Sequence, residues 1–134
     1  MEPAMGTTIL MIEDNEQNRY LATFLLTQHG YEVVSAFDGP SGITLAQSLA
    51  PDLILLDIQL PGMDGYSVAR ALRDVEALQA TPIIAVTSYA MVGDREKSLG
   101  AGCNGYIEKP INPDTFVTEI DKFLPPRSAS QGLS

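Results

Sequence analysis

With only one cysteine, Cys103, the sequence has no partner for an internal disulfide, and its only histidine, His29, leaves no Cys/His cluster to hold zinc. A reducing compartment is expected. Basic residues are scarce: eight Lys and Arg stand against 17 Asp and Glu, for a formal charge of -9. That balance excludes a protein that holds nucleic acid or an anionic membrane by general attraction, and any partner should be a protein or a cation. No apolar run approaches the ~20 residues needed to span a bilayer, and residues 1–6 lack a basic stretch followed by an apolar one. The expectation is a cytoplasmic protein with neither a membrane nor a nucleic-acid partner.

Apolar material is plentiful. Hydrophobic residues make up 45% of the 134 and charged ones 19%, enough to close the core of one domain. Short runs rich in branched residues recur near positions 8, 31, 52, 82 and 105 and alternate with segments of helical spacing, a βα unit repeated five times. Thr8–Ile12, Leu53–Leu56 and Ile83–Val86 are nearly continuous in their apolar character, as strands of a parallel sheet covered by helices on both faces should be. Leu21, Phe24, Leu25 and Gln28 follow the capping residues Asp14 and Asn15 and predict a first helix that stops at His29-Gly30. Further helices are expected around Ile43–Leu49, Val68–Leu72, Val92–Leu99 and Phe116–Leu124. Residues 1–6 read as an extension, 7–124 as the domain, and the small, polar, proline-led 125–134 as a disordered tail.

In an open α/β sheet the working crevice lies beyond the carboxyl ends of the strands. The first apolar run ends in Glu13-Asp14, the third in Asp57, the fourth in Thr87, and the fifth leads through Tyr106-Ile107 to Glu108-Lys109-Pro110. Parallel strands bring these ends to one rim. Clustered carboxylates repel one another unless a cation compensates, and all-oxygen donors favour Mg²⁺. A carboxylate fixed beside such an ion can accept a phosphoryl group, and Thr87 and Lys109 are suited to donate to its remaining oxygens. Taken singly, each residue has a plainer role: Glu13-Asp14-Asn15 as a helix cap, Asp57 as a turn residue before Pro61-Gly62, Thr87 as a cap, Lys109 as a solvated amine. Their convergence favours a site.

The stretches Ile-Glu-Asp-Asn (12–15), Pro-Asp-Leu-Ile-Leu-Leu-Asp-Ile-Gln-Leu-Pro-Gly-Met-Asp-Gly (51–65), Ile-Ile-Ala-Val-Thr-Ser (83–88) and Gly-Tyr-Ile-Glu-Lys-Pro-Ile (105–111) resemble the receiver domain of two-component response regulators over residues 7–124. The resemblance implies a flavodoxin-like, five-stranded parallel sheet in the order 2-1-3-4-5. It makes Asp57 the phosphoacceptor and assigns Mg²⁺ to Glu13, Asp14, Asp57 and the backbone carbonyl of Gln59. By the same resemblance Thr87 and Lys109 contact the phosphoryl group, Tyr106 is an aromatic switch, and Lys109-Pro110 is cis. Gln59 and Tyr89, two positions beyond the acceptor and the threonine, would tune dephosphorylation. The implied function is that of a single-domain regulator, not an enzyme beyond weak autophosphorylation and autodephosphorylation. A histidine kinase or phosphotransfer protein would supply the phosphoryl group, and a protein target would read the face formed by helix four, strand five and helix five. The chain would be a monomer or a phosphorylation-linked dimer.

Two rivals share parts of this pattern. An aspartate-nucleophile, Mg-dependent phosphohydrolase resembles Asp-x-Asp at its nucleophile, whereas position 59 is Gln; a flavin carrier would need a phosphate cradle where Glu13-Asp14 stand. Gly100-Ala-Gly-Cys-Asn-Gly105 matches GxGxxG but lies between a helix and a strand, the reverse of a dinucleotide-binding turn, and is expected to end helix four.

Overall fold

A computed structural model describes residues 7–88 and 93–124. The expected extension 1–6, the tail 125–134, Tyr89 and Val92 lie outside the described residues. Five βα units follow in order: β1 (Thr8–Ile12), α1 (Glu16–Gln28), β2 (Glu32–Ala36), α2 (Gly39–Leu49), β3 (Leu53–Asp57), α3 (Gly65–Arg73), β4 (Ile83–Thr87), α4 (Asp94–Gly100), β5 (Gly105–Glu108) and α5 (Phe116–Asp121). The strands form one parallel sheet in the order β2-β1-β3-β4-β5.

Side chains alternate across the strands, and helices cover both faces. Leu10, Ile12, Ile54, Leu56, Ile83 and Ala85 pack with Ala46 of α2 and with Val68, Ala69 and Leu72 of α3. Ile9, Met11, Leu53, Leu55, Ile84 and Val86 pack on the other face with Ala22 and Leu26 of α1 and with Phe116 and Ile120 of α5. Burial on both faces is why the strands read as unbroken apolar runs. Leu99 of α4 is exposed and belongs to neither core.

Helix starts follow their caps. Asn15, Asp38 and Asp64 each accept from a backbone N–H three residues on, opening α1, α2 and α3. α3 begins three residues before the expected Val68, directly after its cap Asp64, and Gly65 lets this start lie against the end of β3: a Cβ there would lie 2.4 Å from Ile58 Cα and 2.8 Å from the Asp57 carbonyl oxygen. α4 starts at Asp94, after Gly93. α5 ends at Asp121 rather than Leu124, since the Phe123 and Leu124 N–H groups turn tightly onto the Ile120 and Asp121 carbonyls. A short 3-10 turn, Glu76–Leu78, was not anticipated. The GxGxxG segment closes α4: Gly102 has φ +108°, which favours glycine, and Cys103 is buried beside it with its thiol pushed up to about 11 by burial.

Arg73 ties together the end of the sheet opposite the strands' carboxyl termini. Its guanidinium donates to the carbonyls of Gly102 at 2.8 Å, Leu78 at 2.9 Å and Thr81 at 2.7 Å, and to the Asn104 side chain at 2.6 Å. At the same end, His29 pairs with Asp121 at 3.3 Å and Tyr31 donates to the same carboxylate, joining the region after α1 to α5.

Candidate functional site

The β1, β3 and β4 strand ends and the loop after β5 enclose an open cleft of about 590 Å³ whose lining includes Glu13, Asp14, Asn18, Asp57, Gln59, Ser88 and Lys109. Asp57 is the last residue of β3 and Glu13 follows β1; both are buried, while Asp14 is exposed. One carboxylate oxygen from each of the three lies within 4.8 Å of the others. Lys109 reaches in from the loop after β5, its Nζ 3.0 Å from Glu13 Oε1 and 3.3 Å from Asp57 Oδ2. Thr87 is buried at the end of β4, and its carbonyl accepts from the Lys109 N–H at 2.8 Å. The Lys109–Pro110 peptide is cis, as the resemblance implied.

Backbone donors fix the carboxylates. Gln59 N–H donates to Asp57 Oδ1 at 2.9 Å and Asn15 N–H to Glu13 Oε2 at 3.1 Å. Arg19, one turn into α1, donates to the carbonyls of Glu13 at 3.1 Å and Asp14 at 3.0 Å, while its guanidinium lies 3.9 Å over the Phe37 ring. Arg19 thus braces the acidic loop without neutralising its carboxylates. Sequence reasoning missed this role, although a lone arginine one helical turn beyond an acidic pair was a signal for it.

Electrostatically the cleft is short of positive charge. Burial, hydrogen bonding to Asp57 and repulsion by Asp57 push the Glu13 carboxyl up to about 7, against the opposing pull of Lys109. One ammonium is shared between two buried carboxylates, and a third stands beside them. The donor set is all oxygen, so the chemistry that would relieve it is a hard divalent cation.

The expected residues do not all share one cavity. Glu13, Asp14, Asp57, Gln59 and Lys109 line the cleft. Tyr106 instead lines a separate groove of about 500 Å³ with Arg95, Phe116 and Glu119, over β5 between α4 and α5, and packs partly against the core. Ser88, at the end of the Ile-Ile-Ala-Val-Thr-Ser stretch, lines the cleft and hydrogen-bonds to Gln59.

Comparison with known proteins places this geometry. Residues 9–121 match the response regulator receiver domain. The chain is 42% identical over 120 residues to the polar-differentiation response regulator DivK of Brucella ovis, an alignment covering 90% of this chain and 98% of that one. Among solved structures, the chemotaxis protein CheY4 of Vibrio cholerae superposes with a TM-score of 0.84 at 28% identity, covering 88% of this chain and 98% of that one. The receiver domain of the sensor histidine kinase PA1611 from Pseudomonas aeruginosa, solved with a magnesium ion coordinated in its active-site cleft, superposes at 0.81 with 37% identity, covering 87% and 96%. Nothing in these matches favours a phosphohydrolase. Five parallel strands in the order 2-1-3-4-5, an acidic cleft at their carboxyl ends and relatives aligned along nearly their whole length make this chain a member of the response regulator receiver domain family of two-component signalling.

Proposed function

We propose that the chain accepts a phosphoryl group on Asp57 from a histidine kinase or phosphotransfer protein and passes the signal on by protein contact. The observation that carries this is the placement of a buried carboxylate at the end of β3 with an ammonium 3.3 Å away and two more carboxylates beside it. In the transfer, an Asp57 oxygen attacks phosphorus, the P–N bond of a phosphohistidine breaks as the P–O bond forms, and the leaving imidazole takes up a proton. Lys109 and Thr87 supply donors to the phosphoryl oxygens, and the Gln59 N–H holds Asp57 in position.

Glu13, Asp14, Asp57 and the Gln59 carbonyl would hold Mg²⁺. When bound, the ion neutralises charge on the transferring group. The acidic cluster fits it, as does the elevated Glu13 carboxyl.

The added group carries about -1.5 to -2 charge, and its bonds to Thr87 and Lys109 favour a conformation in which Tyr106 turns inward. That motion reshapes the groove over β5, so the downstream target reads the α4–β5–α5 face. Gln59 and Tyr89 set the rate of hydrolysis, and the chain's own phosphorylation and dephosphorylation activities are weak. It works in the cytoplasm, as a monomer or as a dimer formed on phosphorylation.

Acetyl phosphate with Mg²⁺ tests the acceptor. The parent chain is expected to incorporate one phosphoryl group and Asp57→Asn none; labelling of Asp57→Asn at the parent level would assign the chemistry elsewhere.

A further inference from the structure

One contact in the cleft has no part in the chemistry proposed above. Gln59 follows β3 and Ser88 follows β4, and the carboxamide oxygen of Gln59 accepts from the Ser88 N–H at 3.1 Å and from its hydroxyl at 2.9 Å. Two donors converging on one oxygen fix the orientation of the amide, because turning it over would set an N–H against the Ser88 N–H. Its other end is poorly served. Gln59 Nε2 is sealed from solvent with no hydrogen-bond partner among the described residues. A buried donor left unpaired is costly, so the two bonds to Ser88 must offset that penalty for the side chain to stay where it is.

Both residues line the cleft that holds Asp57 and Lys109. Asp57 registers with Val86 on the adjacent strand, so Ser88 stands just past the rim on the β4 side of the acceptor. A phosphoryl group on Asp57 brings strong acceptor oxygens into this space. In the resting protein, the donors that Ser88 presents there are already committed to a neutral carboxamide oxygen.

We propose that Gln59 is a resting-state latch: its Oε1 occupies the Ser88 donors in place of a phosphoryl oxygen, and occupation of Asp57 must displace it. No covalent bond is made or broken in the exchange. Two hydrogen bonds to a neutral oxygen give way to bonds to an anionic one, which are stronger, and the released amide regains water at Nε2. Gln59 is a positioning residue that acts through Ser88. The latch rests on the reading of Asp57 as the acceptor, and it ties the β3–α3 loop to the β4–α4 loop until that acceptor is filled.

Beryllofluoride with saturating Mg²⁺ tests the latch, because it occupies a phosphoryl site reversibly and without hydrolysis. Titration of the full chain by calorimetry is expected to show Gln59→Met, of similar length but unable to accept the hydrogen bonds, binding roughly fivefold tighter than the parent, the worth of about one net hydrogen bond. Gln59→Ala should shift affinity in the same direction. Ser88→Ala should weaken binding more in the Gln59→Met background than in the parent, since only there does the hydroxyl serve the ligand alone. A purely supporting Gln59 would give the opposite sign, so equal or weaker binding by both Gln59 variants overturns the latch. Failure of the parent to bind, or equal binding by Asp57→Asn, overturns the acceptor reading and the latch with it.

Discussion

On the proposed assignment of Glu13 to Mg²⁺, metal binding is linked to protons in a way that can be measured. Burial and the neighbouring Asp57 carboxylate push the Glu13 carboxyl from 4.5 up to about 7. The folded protein therefore holds this proton more tightly than the unfolded chain does. Without metal, Glu13 favours folding most at acid pH, and that contribution is lost as the pH rises from about 4.5 through about 7, amounting to about 3 kcal/mol in all. A divalent cation reverses the preference, because it binds the ionised carboxylate and must expel the proton. With a carboxyl near 7, apparent Mg²⁺ affinity should fall about tenfold between pH ~8 and pH ~6. At saturating metal that factor is about 1.4 kcal/mol of ligand stabilisation, or roughly 4 °C in Tm for a domain of this size.

The assay is thermal unfolding with excess Mg²⁺ and with chelator at each pH, followed by the difference between the two. Chelated protein should melt higher at the acid pH as far as Glu13 is concerned, while the gain from Mg²⁺ shrinks. Glu13→Gln should remove most of the pH dependence of that gain. A Mg²⁺ gain that is equal at both pH values, or larger at the lower one, would refute the electrostatic account of the cleft.

Other perturbations probe the same architecture. Lys109→Met removes the ammonium shared by Glu13 and Asp57 and should cost about 3 kcal/mol without metal, with much of it restored by Mg²⁺; a chelated Tm unchanged from the parent would count against the bridge. Gly65→Ala drives a methyl to 2.4 Å from the Ile58 backbone and should lower stability by about 2–4 kcal/mol in urea titration, with Mg²⁺ affinity falling as Asp57 is displaced. Arg73→Lys replaces a planar fork with a single point donor and should cost about 2–3 kcal/mol while leaving the Mg²⁺ gain unaltered.

Much of this was legible in the sequence, for physical reasons that also set the limits. Strands buried on both faces leave continuous apolar runs, and parallel strands put their last residues on one rim, so Glu13, Asp14, Asp57 and Lys109 could be grouped before any coordinates. Strand order could not be read this way, because periodicity carries no information on which strands are neighbours; it came from the resemblance. The start of α3 was hidden because Gly65, Tyr66 and Ser67 lack an apolar repeat, although Asp64 capped them. Arg73 was invisible as a structural residue because its partners are mainly backbone carbonyls, which every sequence offers everywhere. The Gln59–Ser88 bond crosses two loops that are 29 positions apart in sequence.

The two ends of the sheet are built to opposite specifications, and that asymmetry is what a switch requires. At the amino ends of the strands, the Arg73 fork satisfies carbonyls from the α3–β4 and α4–β5 connections, and the Tyr31–Asp121–His29 cluster anchors α5. At the carboxyl ends, buried carboxylates share one ammonium, Glu13 is held far from its ordinary ionisation, and a carboxamide nitrogen lies buried without a partner among the described residues. Polar groups left short of partners in a low-dielectric site make two arrangements close in free energy, so a modest ligand can choose between them. Had the rim been braced as Arg73 braces the base, a phosphoryl group would have to break good bonds to bind and would move little when it did. Variants at the base should therefore change the melting temperature but not its response to Mg²⁺ or beryllofluoride, whereas variants at the rim should change the response. A base variant such as Arg73→Lys that altered the ligand response as strongly as Lys109→Met does would show that the ends are not separate and that the sheet itself carries the switch.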